Sequence, residues 1–272
     1  MDNATVRLCL QRASGKVSVS VKQRDGRSTL DGLRQEGCLK ARFPRPDEAA
    51  WLDVVTLNTS GGIAGGDELS SSFAIGAGSR AIIASQAAER FYRALPGSEP
   101  SRLRNSITIA AGGAAEWLPQ ETILFDRCMV RRRLQLELAE DARFLGVESL
   151  VFGRAAMGEI VDRGSLHDLI EVRRDGRLLL HDAIRLDGEV AAMLGRKAIA
   201  DSARAVATVV YVAPDTEAML DALRGLGIGA SAWDGMLIAR VLGADAAVVR
   251  CSVTSVLQVL RSGRSLPRVW YC

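Results

Sequence analysis

Val130-Arg131-Arg132-Arg133-Leu134-Gln135-Leu136-Glu137-Leu138 is the stretch that decides the fold class. Residues 130, 134, 136 and 138 point one way and the charged side chains mostly the other, which makes a strand with one wet face. On this reading the basic run 131–133 is a solvated strand face. Similar short strands are read at 17–22, 52–57, 69–75, 106–110, 145–152 and 206–212. Asp25-Gly26 and Asp175-Gly176 each sit between such runs, the pattern of a two-residue hairpin. The second predicts that 169–173 returns as 177–181. Helices are few. Pro214-Asp215-Thr216-Glu217, followed by Met219, Leu220, Leu223 and Leu226, combines early acids, helical spacing and a glycine stop. Residues 81–95 and 253–261 read as shorter helices. Together these predict a mainly β chain, a single large domain over residues 1–272 of packed or wrapped sheets with two or three short α-helices.

The composition excludes several classes. A chain of 272 residues that is 48% hydrophobic and 25% charged is ordinary for a globular protein, and a net charge of +3 does not call for nucleic acid. Five scattered cysteines (Cys9, Cys38, Cys128, Cys251 and Cys272) have no CxxC spacing, which fits neither a disulfide framework nor a zinc knuckle and suits a reducing cytoplasm. Residues 1–7 lack the apolar core of a signal peptide, and the apolar run 205–213 is too short to span a bilayer. The expectation is a cytoplasmic protein. His167 and His181 are the only histidines, and neither sits beside a nucleophile elbow or in a metal-ligand spacing.

Asn58-Thr59-Ser60-Gly61-Gly62-Ile63-Ala64-Gly65-Gly66-Asp67 is the most distinctive segment. Gly61, Gly62, Gly65 and Gly66 form a tight loop, but Asp67 and Glu68 follow where a phosphate cradle would carry Lys and Ser or Thr. Gly76-Ala77-Gly78-Ser79-Arg80-Ala81 matches a dinucleotide loop in letters, and an NAD(P)-binding oxidoreductase is the rival class. That chemistry needs a helix to start at the loop and a second βαβ half, and the sequence supplies no second half. In Glu116-Trp117-Leu118-Pro119-Gln120-Glu121-Thr122-Ile123-Leu124-Phe125-Asp126, Trp117, Ile123 and Phe125 anchor a strand in a core, while Pro119 marks a kink or an edge. The acids and amide of this segment read either as a capped strand end or as a polar line within the protein. Gln86-Ala87-Ala88-Glu89-Arg90-Phe91-Tyr92-Arg93 mixes aromatics with arginines and reads as internal bonding or a protein-binding surface.

These segments, with Gly153-Arg154, Gly158-Glu159 and Pro267-Arg268-Val269-Trp270 following in order, closely resemble the urease accessory protein UreD family, called UreH in some organisms. The resemblance runs from about residue 16 to the end. Thr59-Ser60 stands where many members carry Pro-Pro, Ser85 where Thr is common, and Phe91 where an aliphatic residue is more usual. The resemblance implies a largely β, non-catalytic maturation factor. Its partners would be apo-urease, UreF and the GTPase UreG, with no nucleic acid and no membrane. It implies no tightly bound cofactor, only nickel in transit to the urease active site. Within the family-matching segments, Asp67, Glu116, Gln120, Glu121 and Glu159 are the expected lining of a hydrated cation passage. Tyr92, Arg93, Arg268 and Trp270 are the expected partner contacts, with closure of the core as the other reading of Trp270.

Overall fold

The computed structural model describes residues 11–271. Residues 1–7, Cys9 and Cys272 lie outside the described residues. The chain forms β1 (Ser14–Arg24), β2 (Arg27–Gly37), β3 (Leu39–Arg42), β4 (Leu52–Asn58), β5 (Glu68–Ile75), β6 (Arg80–Ser85), β7 (Glu89–Phe91) and β8 (Ser101–Ile109). There follow β9 (Ala114–Leu118), β10 (Thr122–Leu124), β11 (Met129–Leu138), β12 (Arg143–Phe152), β13 (Arg163–Arg174), β14 (Arg177–Glu189) and α1 (Val190–Leu194). The last elements are β15 (Ala205–Val212), α2 (Thr216–Gly225), β16 (Gly229–Trp233), β17 (Met236–Gly243) and α3 (Ala246–Leu260). The protein is mainly β, as the alternation predicts.

The strands make two stacked sheets. A seven-stranded sheet runs β14-β13-β11-β8-β5-β1-β2, and a ten-stranded sheet runs β16-β17-β15-β12-β9-β6-β4-β3, with β10 and β7 attached beside β12. From β5 to β13 the chain shuttles between sheets, so β5, β8, β11 and β13 run parallel in one while β6, β9 and β12 run parallel in the other. Parallel strands need a crossover, and here the crossover is a strand of the opposite sheet instead of a helix. The turns stack on one another, with Gly78 N donating to Ala111 O at 2.9 Å and Arg143 N to Gly113 O at 2.9 Å. Asp25-Gly26 and Asp175-Gly176 close antiparallel hairpins with both residues at positive φ, as expected of that dipeptide. Asp234-Gly235 closes a third between β16 and β17.

Two apolar layers hold this frame. One lies between the sheets and takes Val19, Phe73, Ile107, Leu136, Phe144 and Leu150 from facing strands. The other lies outside the ten-stranded sheet, where Leu220 and Leu223 of α2 and Val253, Val256 and Leu257 of α3 cover Val147, Ala207, Val209 and Leu237. β12, β15 and β17 are therefore buried on both faces, which explains the mostly apolar run after residue 204, broken only by the buried Thr208. α2 falls where predicted. α3 begins seven residues before the expected 253, capped by Asp245, whose Oδ1 accepts from Val248 N at 2.9 Å. The helix expected over 81–95 is absent: β6 and β7 occupy it, because Ala81, Ile83 and Ala84 are more completely buried between layers of sheet than on one helix face. The Gly76-Ala81 loop also turns into strand β6, with Ser79 N bonded to Gly76 O at 3.0 Å, so no helix terminus faces a pyrophosphate there. No helix among the described residues is long and apolar enough to cross a membrane.

Candidate functional site: a polar layer between the sheets

Arg132 has the same parity on β11 as Val130 and Leu134, so the pleat turns it into the inter-sheet core, where it is 4% exposed. The expectation that this basic run is mostly a solvated face fails at Arg132. Arg131 is exposed and Arg133 half-exposed, but Arg132 is buried. Asp168 is its neighbour in register on β13, and the guanidinium meets that carboxylate through Nε at 2.8 Å and Nη2 at 2.7 Å. From the facing sheet, Glu148 of β12 accepts from Nη1 at 2.5 Å and Thr122 of β10 accepts from the same nitrogen at 2.8 Å. Trp117 Nε1 donates to the other Glu148 oxygen at 2.7 Å.

One guanidinium thus faces two buried carboxylates. Burial, aided by the Asp168 charge, lifts the Glu148 carboxyl above its ordinary range against the pull of Arg132. Burial works against the Arg132 charge, but Asp168 and Glu148 outweigh it and hold the guanidinium ionised. A buried group with one negative charge in excess favours uptake of a proton or a cation. Beside it lies a cavity of about 50 Å³, bordered by Ser71, Ser85, Glu89, Asn105, Gln120 and Thr122 as well as by Arg132 and Glu148. At roughly 30 Å³ per water it has room for one or two. Burial also lifts the Glu89 carboxyl, against the hydrogen bond it accepts from Asn58 Nδ2 at 3.1 Å.

The residues singled out in the sequence fall around this layer rather than along one line. Asp67 is buried, with Oδ1 accepting from Ala13 N and Oδ2 from Ala64 N, both at 2.8 Å, so it closes the glycine loop. Gly61, Gly62 and Gly66 have positive φ, and a Cβ on Gly62 would run into the Tyr92 ring, whose hydroxyl donates to Gly61 O at 2.8 Å. Gly65 lies against Ala94 and Ser98. Glu116 is on the opposite face of β9 from Trp117, under the C-terminal segment, paired with Arg261 at 2.8 Å and with Arg264. Arg250 of α3 donates to Gln120 at 2.8 Å, to Glu121 at 2.7 Å and to Trp270 O at 2.7 Å, and stacks 4.8 Å from the Trp270 ring. Trp270 is itself buried, with Nε1 donating to Leu118 O at 3.0 Å, and Gln120 Nε2 donates to Val269 O at 2.7 Å. Glu159 accepts from Arg154 at 2.6 Å, and Arg154 stacks 4.2 Å above Phe125. Ile123 and Phe125 are only half-buried, and Thr122 and Leu124 take the inner positions of β10. Arg93 is exposed, and Arg268 lies largely exposed beside Asp47 at 3.3 Å. Of the five expected passage residues only Gln120 borders the cavity. Among the described residues no group of three or more His, Cys, Asp or Glu is placed to hold a metal ion.

Residues 13–271 match the model of the UreD urease accessory protein family. The chain belongs to that family. Proteins named urease accessory protein UreD from Dinoroseobacter shibae and Rhizobium leguminosarum bv. viciae are 45% and 41% identical to it, each covering 96% of this chain and 93% and 96% of their own lengths. One from Xanthobacter autotrophicus is 41% identical over 98% of this chain and 93% of its own length. In this UreD-family chain the segments that carry the resemblance meet in space. Ile63 bridges to Phe91, β7 pairs with β10, β10 pairs with β12, and Gly153 N returns to Leu124 O at 2.8 Å. Tyr92 meets Phe125 edge-on at 5.1 Å between ring centroids. The glycine loop, the aromatic–arginine run, the polar strand end and the 153–159 turn therefore form one end of the molecule.

Proposed function

We propose that this chain is a non-catalytic maturation factor for urease. It works in complex with apo-urease, UreF and UreG, with GTP hydrolysis left to UreG. The observation that carries this reading is the match to the UreD family over residues 13–271. We further propose that the polar layer between the sheets gives nickel, the cargo of the complex, a hydrated path. Glu89, Ser71, Asn105, Thr122, Gln120 and Glu148 supply only oxygen-bearing groups and amides to the cavity. Such donors hold nickel more weakly than imidazole or thiolate sets, which suits transit over storage. The charge of Arg132 does not bar a cation, because Asp168 and Glu148 more than cancel it.

Co-expression of the tagged chain with the urease subunits, UreF and UreG tests the reading. Co-purification of all partners, together with apo-urease when the chain is omitted, supports it. Full urease activity without the chain, or its purification free of every partner, overturns it.

A further inference from the structure

α2 and α3 pack on the ten-stranded sheet, and the outward side chains of the seven-stranded sheet are left to solvent. Register sets Arg34, Ser18, Ser72, Ser106 and Gln135 in one row across five strands, with Lys16, Ser70 and Arg104 in the next. Short hydroxyl side chains floor a trough of about 490 Å³, Lys16, Arg34 and Arg104 wall it, and no carboxylate lines it. Elsewhere on this face most cations are matched, Lys22 with Asp31, Arg102 with Glu68 and Arg133 with Glu171, while Arg131 has no ion-pair partner among the described residues. In the trough only Arg34 is matched. Among the described residues Lys16 and Arg104 have no ion-pair partner, and Glu36, opposite Lys16 in register, is taken by Arg34 at 2.6 Å.

We propose that this trough docks an acidic, extended segment of a partner protein. Charge complementarity carries the assignment: two unmatched cations over a floor of hydroxyl donors fit carboxylates. Five strands span about 19 Å, the reach of about six extended residues. Bases are poorly served, because the trough has no aromatic side chain for stacking.

The test uses the full-length chain and a fluorescein-labelled hexaglutamate peptide, read by fluorescence anisotropy. Saturable binding is expected at about 50 mM salt and should weaken steeply by about 300 mM. Lys16→Gln with Arg104→Gln should weaken it by about tenfold or more, while the charge-matched pair Arg80→Gln with Arg143→Gln changes it less than about twofold. Both variants are exposed positions whose melting curves should match the parent. Equal weakening by the two variants would reduce the effect to net charge and overturn the proposal. So would absence of saturable binding, or tighter binding of tripolyphosphate or of a single-stranded oligonucleotide at the same residues.

Discussion

Arg132 Nη1 lies 2.5 Å from Glu148 Oε2, and through this contact the seven-stranded sheet is bonded to the ten-stranded one inside the core. Arg132→Met would strand Glu148 and Asp168 as buried carboxylates with no counter-charge, at a cost of about 3–5 kcal/mol. Glu148→Gln keeps the shape and leaves Arg132 with Asp168 as a neutral pair, so its stability should stay within about 1 kcal/mol of the parent. Urea denaturation at neutral pH separates the two. Equal losses from both substitutions would show that the excess charge does not govern this layer.

Asp53, half-buried near Asp47, has its carboxyl pushed up to about 6, chiefly by burial and next by Asp47. A raised carboxyl binds its proton in the folded state before the unfolded chain does, so stability falls as pH rises from about 4 to about 6. Asp53→Asn removes that slope. After allowance for solvent screening the gain at pH 7 should be on the order of 1 kcal/mol. Melting curves across this range check it, and an unchanged slope in the variant refutes it.

Gly62 cannot take a side chain without moving Tyr92. Gly62→Ala should cost about 2 kcal/mol, from strain at its positive φ together with the displaced ring. Adding Tyr92→Ala relieves the collision but not the backbone strain, so the double variant should lose less than the sum of the two singles. Strict additivity in a denaturation cycle would show that the two residues do not touch in solution.

Arg250 ties α3 to Gln120, Glu121 and the carbonyl of Trp270. Arg250→Ala should free the C-terminal segment and expose residues 262–267 to trypsin, at Arg264 in particular, well before the sheets are cut. A digestion pattern identical to the parent's would mean that the remaining contacts, Arg264 with Glu116, Gln120 with Val269 O and Trp270 with Leu118 O, hold the segment without Arg250.

The β class and two hairpins were legible because alternation and Asp-Gly turns are local signals, and α2 because its acids and apolar spacing agree. The parallel order of the sheets was not, since each strand's partner lies a full circuit of the chain away. The run 81–95 misled because small apolar residues suit a helix until burial on both faces favours a strand. Arg132 was missed although parity alone puts it with Val130 and Leu134, and Glu148 although it is a lone acid in the apolar run of β12. Glu116 and Asp67 were read as passage residues from their chemistry. Only the fold shows that Arg261 and two backbone amides already engage them.

Asn105 borders the polar cavity, is 6% exposed, and makes no side-chain hydrogen bond among the described residues, so Asn105→Leu should fold while making the cavity less polar. The decisive measurement is nickel per active site in urease matured with this variant in place of the parent, with UreF and UreG present. An intact complex with nickel content reduced by about fivefold or more is the result expected if cargo crosses the inter-sheet layer. Full nickel loading by a folded, assembled Asn105→Leu chain would contradict it.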